Sequence, residues 1–93
     1  MFHTYILRCA DGTLYVGFTD DLDQRVARHN AGRGAAYTAA RVPVRLVYSE
    51  SFDNSDAARA REAQLKRWSC VKKEALVAGD FATVHECARR RGS

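Results

Sequence analysis

Two strand-like segments joined by a tight turn constrain the fold of this chain more than any other feature of its sequence. Residues 3–9 (HTYILRC) and 13–18 (TLYVGF) are rich in aromatic and β-branched side chains, which favour extended structure. Asp11-Gly12 lies between them, and this dipeptide is typical of the turns that join antiparallel strands. The sequence therefore predicts a β-hairpin over these segments.

Helix and strand signals alternate after the hairpin. Thr19 is a suitable N-cap for a first helix that ends near residue 30. Residues 44–50 alternate in polarity as a third strand does, and two further helices are predicted over 56–68 and 70–78. The order β-β-α-β-α-α predicts an α+β fold, a small three-stranded and mainly antiparallel sheet flanked by helices.

Length and charge limit the class of protein. The 93 residues allow one domain with one small core, which we expect over residues 1–79, with a partly disordered tail over 80–93. The net charge is +4, but residues 24–49 carry five arginines and no acid, and 59–73 carry six basic residues against Glu62. These blocks form a surface for a polyanion if the fold brings them together. Otherwise they are two solvated helix faces.

Other classes of protein fit the sequence poorly. No stretch approaches the roughly 20 apolar residues of a membrane span. The N-terminal residues lack the basic and long apolar regions of a signal peptide. The chain has three cysteines and no CxxC spacing, which indicates neither a disulfide framework nor a zinc site. A reduced, cytoplasmic location fits this pattern best.

Arg25 and His29 lie one turn apart on the first predicted helix, beside an apolar stripe of Leu22 and Val26. An arginine there can hold a phosphate through two hydrogen bonds, and the histidine can exchange a proton near neutral pH. The alternative is a pair of ordinary surface residues, which is common on helices.

Glu62 shares the apolar face of the second predicted helix with Ala58 and Leu65. A carboxylate at such a position is costly unless another group satisfies it. It forms either an ion pair with Arg61 or Arg25, or a ligand for a hard cation such as Mg²⁺. The residues alone favour the ion pair.

Two tyrosines and a glycine loop complete the candidate residues. Tyr5 and Tyr15 lie on the two hairpin strands, so their hydroxyls can face one point, although most strand tyrosines only pack. Gly32-Arg33-Gly34 can present backbone N–H groups to a phosphate. A short glycine loop is, however, more often only a turn.

Taken in order, these residues resemble the motifs of the GIY-YIG nuclease domain, and most closely its small stand-alone bacterial members. The resemblance runs from His3 to about Val77, and its order and separations carry it rather than any single motif. The matching positions are Tyr5-Ile6-Leu7, Tyr15-Val16-Gly17, Arg25, His29 and Glu62. The first motif, His3-Thr4-Tyr5, keeps only its tyrosine, and Glu74 is the polar residue nearest the place where catalytic members often have a late asparagine.

The resemblance implies a DNA endonuclease that uses one Mg²⁺ or Mn²⁺ ion and has little sequence specificity. Tyr5 and Tyr15 then correspond to the motif tyrosines, Arg25 to the helix arginine, and His29 to the histidine or tyrosine one turn later. Glu62 corresponds to the single metal-binding glutamate. Tyr5, or His29 acting through it, would take a proton from the attacking water, and Arg25 would stabilise charge in the transition state.

The expected substrate is DNA, with flaps, nicks or single-stranded junctions as candidate structures and repair or processing as candidate roles. Phosphate contacts are expected from the basic residues Arg33, Lys66, Lys72 and Lys73. One alternative is a non-catalytic nucleic-acid-binding module in which Arg25 and Glu62 are paired. Another is an interaction domain whose basic surface meets an acidic protein.

Overall fold

The computed structural model describes the backbone of residues 1–90 and the side chains of residues 1–86. The elements in chain order are β1 (Phe2–Arg8), β2 (Leu14–Thr19), α1 (Leu22–Asn30), α2 (Ala36–Ala39), β3 (Arg45–Phe52), α3 (Ser55–Lys66), α4 (Cys70–Ala78) and α5 (Phe81–Arg90). The strands form an antiparallel sheet in the order β2-β1-β3. The predicted α+β class and the three-stranded sheet are therefore confirmed.

The caps of the helices explain where each one begins and ends. Thr19 was expected to cap α1, but Asp21 does so, because its carboxylate accepts a hydrogen bond from the Gln24 N–H at 3.1 Å. Thr19 instead stays in β2 and accepts a bond from the Asp21 N–H. Asn54 caps α3, because its side-chain oxygen accepts a hydrogen bond from the Ala57 N–H at 2.8 Å. Gly79 ends α4 with a φ of 75°, a left-handed conformation that glycine adopts without steric cost.

Two helices lie where the sequence predicted none. The short helix α2 interrupts the predicted loop before β3, and α5 occupies most of the predicted tail. The expectation of partial disorder over 80–93 does not describe residues 81–90, which form α5, and residues 91–93 lie outside the described residues. In α5, Val84 packs against the hydrophobic cluster that contains Leu76 of α4.

The central strand β1 contributes to two hydrophobic clusters on opposite faces of the sheet, because consecutive residues of a strand point to opposite sides. Tyr5 and Leu7 belong to the cluster on which α1 packs. Ile6 belongs to the cluster formed with α3 and α4. Thr4, also fully buried, donates a hydrogen bond of 2.7 Å to the carbonyl of Ala58 and so ties β1 to α3.

The lengths and polarity of the helices decide whether any of them could span a membrane. No helix within residues 1–90 is both long and apolar enough to cross a lipid bilayer. The described cysteines are both free thiols, Cys9 in the core and Cys70 on the surface.

Candidate active site

A buried hydrogen bond joins the central strand to the first helix. The Tyr5 hydroxyl and His29 Nε2 are 3.0 Å apart, and each residue is only 1% exposed. Gly17 lies opposite Tyr5 in the β1–β2 pairing, and a β-carbon at Gly17 would lie 2.5 Å from the Tyr5 hydroxyl oxygen. Because that distance is shorter than any normal contact, the Tyr15-Val16-Gly17 motif needs glycine at position 17 to leave room for the Tyr5 side chain.

The other ring nitrogen of His29 is also hydrogen bonded. Nδ1 lies 2.7 Å from Thr38 Oγ1, and the Thr38 hydroxyl donates to the carbonyl of Ala35 at 3.1 Å. A β-carbon at Gly34 would lie 2.2 Å from Nδ1. Of the two glycines in the predicted phosphate-binding loop, Gly34 therefore has a steric role, since it leaves space for the His29 ring.

Three further side chains extend this arrangement towards the surface. The Tyr15 ring contacts the His29 ring edge-on, with centroids 5.2 Å apart. Tyr37 stacks on Tyr15 at 6.0 Å, and the Arg41 guanidinium lies 3.9 Å above the Tyr37 ring. Arg41 is itself held by an ion pair of 3.0 Å with Asp11. The rings therefore hold Tyr15 beside the Tyr5–His29 pair.

The charges around this pair set its protonation. Burial lowers the pKa of His29, and the positive charges of Arg25 and Arg28 lower it further. Burial raises the pKa of Tyr5, with a further contribution from Tyr15 and an opposing one from Arg25. At neutral pH the site therefore holds an intact phenol against a neutral imidazole.

Arg25 is half-buried on α1, and no carboxylate among the side chains of residues 1–86 forms an ion pair with it. Its charge nevertheless acts on both Tyr5 and His29. The guanidinium is thus placed beside the pair and is available to an anion.

Glu62 pairs with neither of the arginines considered from the sequence. Its carboxylate lies 3.1 Å from Lys66 Nζ, one turn along α3, whereas Arg61 pairs with Glu50 at 2.9 Å. The expected ion pair with Arg61 or Arg25 is therefore wrong, and so is the paired Arg25 and Glu62 of the binding-module alternative. The negative charge of Glu62 raises the pKa of Tyr5, although less than burial and Tyr15 do.

The donor set offered to a metal is small. Among the described residues there is no group of three or more His, Cys, Asp and Glu that could hold an ion. Glu62 is a single hard oxygen donor whose side chain is 19% exposed and whose partner Lys66 is 51% exposed. This suits Mg²⁺, which binds through one or two carboxylates and keeps several waters.

The residues expected to contact phosphate are spread over three segments. Arg33 is exposed in the loop after α1, Lys66 pairs with Glu62, and Lys72 Nζ lies 4.1 Å above the Trp68 ring. Lys73 lines a pocket with Tyr37 and Glu74. The basic blocks are partly neutralised, since several of their cations form ion pairs. Arg41 pairs with Asp11 and Arg61 with Glu50, two acids outside the blocks, and Lys66 pairs with Glu62 inside its own block.

Glu74, the polar residue nearest the place of the late asparagine, is committed elsewhere. Both of its oxygens accept from the guanidinium of Arg8, at 2.5 and 2.7 Å. This contact joins the end of β1 to α4. Glu74 therefore has a structural partner that the sequence reasoning did not foresee.

Thr38 and Tyr37 were not among the residues singled out from the sequence, although both contact those that were. Both lie on α2, which has only four residues and no side-chain cap to mark it. The one available signal is indirect, because a histidine on an apolar face needs a partner for each ring nitrogen.

Comparison with known proteins decides the family. Residues 1–74 match the family model of the GIY-YIG catalytic domain. The chain belongs to the GIY-YIG family. GIY-YIG proteins form a nuclease superfamily, and the resemblance inferred from the motifs is confirmed.

This GIY-YIG protein is similar in size and sequence to small single-domain relatives. It is 51% identical to a UPF0213 protein of Halobacterium salinarum over 76 residues, which cover 82% of this chain and 99% of that protein. It is 58% identical to a UPF0213 protein of Pediococcus pentosaceus over 66 residues, covering 71% of this chain and 70% of the relative.

Two solution NMR structures are also similar to this GIY-YIG protein. The UPF0213 protein of Bacillus halodurans is 43% identical, with a TM-score of 0.54 over 84% of each chain. A protein of E. faecalis is 33% identical, with a TM-score of 0.55 over 89% of this chain and 84% of the other.

Proposed function

We propose that this GIY-YIG protein is a metal-dependent endonuclease that hydrolyses phosphodiester bonds in DNA with low sequence specificity, in DNA repair or processing. The observation that carries the proposal is the buried 3.0 Å hydrogen bond between Tyr5 and His29. A phenol bonded to a neutral imidazole beside an arginine that no described carboxylate neutralises is suited to proton transfer next to a phosphate.

Tyr5 and His29 act together as the general base. The attacking water gives a proton to the Tyr5 oxygen while the Tyr5 proton passes to His29 Nε2. The raised pKa of Tyr5 means that the phenol is protonated at neutral pH and needs such an acceptor. The imidazolium formed is buried near Arg25 and Arg28, whose charges lower its pKa, so it readily releases the proton again.

Arg25 and Tyr15 act on the phosphate. The Arg25 guanidinium hydrogen bonds to the non-bridging oxygens and stabilises the negative charge that grows on them in the transition state. Tyr15 orients the phosphate or the attacking water through its hydroxyl, and its ring is held in place by Tyr37.

Glu62 would hold the divalent ion, Mg²⁺ or Mn²⁺. The ion supplies Lewis-acid stabilisation of the phosphate. Lys66 would be displaced from Glu62 and become available to the DNA backbone, together with Arg33, Lys72 and Lys73.

The test is a cleavage assay on supercoiled, flapped and branched DNA with Mg²⁺, Mn²⁺ or EDTA. The proposal expects cleavage that EDTA stops and that Arg25→Ala and Glu62→Ala each abolish without unfolding the protein. Arg45→Ala and Asp56→Asn, which remove an exposed positive charge on β3 and an exposed negative charge on α3, are matched controls and should retain activity.

Two other results of these assays would contradict the proposed endonuclease. DNA that binds but stays intact with every metal and substrate shape favours the non-catalytic binding module. A lack of binding even at low salt, where phosphate contacts are strongest, contradicts both nucleic-acid functions.

A further inference from the structure

We infer that Thr38 is a positioning residue that fixes the tautomer of His29, placing the ring proton on Nδ1 so that Nε2 accepts the hydrogen bond from Tyr5. The effect of this tautomer on DNA cleavage rests on the proposed function. The inference about the tautomer itself rests on the hydrogen bonds around Thr38 alone.

The Thr38 hydroxyl has a single hydrogen to donate. Thr38 Oγ1 lies 3.1 Å from the Ala35 carbonyl oxygen, and a carbonyl oxygen can only accept. The hydroxyl hydrogen is therefore used in this bond. At 2.7 Å from His29 Nδ1, the hydroxyl oxygen has only its lone pairs to offer.

The proton on His29 follows from this. Because Thr38 Oγ1 accepts, Nδ1 must carry the hydrogen. A neutral imidazole has one N–H, so Nε2 presents a lone pair. Its partner at 3.0 Å is the Tyr5 hydroxyl, which therefore donates.

The opposite tautomer, in which the ring proton of His29 lies on Nε2, is inconsistent with the same hydrogen bonds. If Thr38 donated to Nδ1, two oxygen atoms, Thr38 Oγ1 and the Ala35 carbonyl oxygen, would face each other at 3.1 Å without a hydrogen between them. His29 would then donate from Nε2 to the Tyr5 oxygen. The Tyr5 proton would point away from the imidazole and could not pass to it when Tyr5 takes a proton from water.

The burial of Thr38, His29 and Tyr5 keeps this sequence of hydrogen-bond donors and acceptors fixed. Thr38 is 0% exposed, and Tyr5 and His29 are each 1% exposed, so bulk water does not compete for these bonds. The neighbouring Tyr37 stacks on Tyr15. The short helix α2 thus supports the His29 ring through Thr38 and the Tyr15 ring through Tyr37. Neither Thr38 nor Tyr37 touches the proposed reacting atoms.

The first test is the tautomer of His29 in the folded protein at pH 7.5, measured by long-range ¹H–¹⁵N correlation NMR. His3→Gln and His85→Gln assign the His29 signals by elimination. The inference expects a protonated Nδ1 and an unprotonated Nε2 in the wild type and in Thr38→Ser, and a gain of the Nε2–H tautomer in Thr38→Val. An Nε2–H tautomer in the wild type overturns it, whether or not Thr38→Val folds.

The second test is cleavage by the same variants with Mg²⁺. General acid–base catalysis contributes about 10²–10⁴-fold to rate, so Thr38→Val should lower kcat by about tenfold or more with KM nearly unchanged, and Thr38→Ser should restore it to within about threefold. A loss of kcat in Thr38→Val with an unchanged His29 tautomer contradicts the inference. A wild type that cuts no DNA contradicts the proposed function instead, while the NMR result still decides the tautomer.

Discussion

The His29 ring fills the space that a side chain at Gly34 would need, since a β-carbon there would lie 2.2 Å from Nδ1. The two residues are therefore sterically coupled. Gly34 is not among the glycines with positive φ, which are Gly12, Gly32 and Gly79. The need for glycine at this position comes from the histidine rather than from the backbone.

Gly34→Ala should displace the His29 ring and break its bonds to Tyr5 and Thr38. Overpacking of this kind costs about 1–3 kcal/mol of the free energy of unfolding, measurable by urea denaturation, and cleavage should fall with it. Gly32→Ala is the contrasting variant: it strains a residue at φ +77° but meets no atom within 4 Å. It should leave the NMR signals of the His29 ring unchanged.

Gly17→Ala should act on Tyr5 in the same way, because the added β-carbon would lie 2.5 Å from the hydroxyl oxygen. We expect a loss of stability of about 1–3 kcal/mol and a loss of cleavage. A double-mutant cycle with Tyr5→Ala isolates the clash. If Gly17→Ala costs as much in the Tyr5→Ala background as in the wild type, the clash is not the reason for glycine here.

Stability should fall as the pH drops below about 6.5, the ordinary pKa of histidine. The pKa of His29 is lowered by burial and then by Arg25 and Arg28, so in this range the unfolded chain binds the proton and the folded chain does not. The free energy of unfolding then decreases with falling pH, by at most about 1.4 kcal/mol per pH unit for one group. The decrease ends below the folded pKa, where both states are protonated.

Urea denaturation between pH 7.5 and 5 measures this slope. His29→Asn should reduce it, and His85→Asn, which changes an exposed histidine, should leave it as in the wild type. Equal slopes in all three proteins would show that His29 does not cause the dependence.

Glu74→Gln should lower stability slightly and leave cleavage unchanged. Glu74 pairs with Arg8, and its side chain is 46% exposed, so the expected loss is about 0.2–1 kcal/mol. Asp53→Asn, which removes an exposed carboxylate that pairs with no cation among the side chains of residues 1–86, is the control for net charge. A large loss of kcat in Glu74→Gln would instead give Glu74 the role of the late asparagine.

Lys72→Ala should weaken DNA binding about equally for different sequences and lower the salt dependence of the binding constant by about one unit of slope. Arg45→Ala removes the same charge from an exposed position on β3 and should change the slope less. Fluorescence anisotropy over a range of salt concentrations measures both. Equal slopes for the two variants would mean that Lys72 contributes only to net charge.

Local patterns were enough to predict the sheet, the main helices and the residues that meet around His29. Tyr5 and Tyr15 could be placed on one face because the Asp11-Gly12 turn fixes the pairing of their strands. Arg25 and His29 followed from helical spacing.

Partners that are distant in sequence could not be predicted in this way. The choice of Lys66 rather than an arginine for Glu62 depends on Arg61 being drawn to Glu50 on β3. The bond between His29 and Thr38 depends on the path of a loop that turns into α2. Neither the Arg61–Glu50 pair nor the His29–Thr38 bond leaves a periodic signal in the sequence, whereas Glu62 and Lys66 lie at the i,i+4 spacing of a helix.

The bond from Thr4 to Ala58 has a consequence for the geometry of the whole site. Thr4 and Tyr5 are consecutive on β1 and point to opposite faces, one towards the helix that carries Glu62 and the other towards His29. A single peptide unit of the central strand therefore links the contact with α3, the helix that carries Glu62, to the Tyr5–His29 hydrogen bond. Inserting one residue between Thr4 and Tyr5 would turn the tyrosine to the wrong side of the sheet, and its bond to His29 would be lost while the bond from Thr4 to α3 stayed.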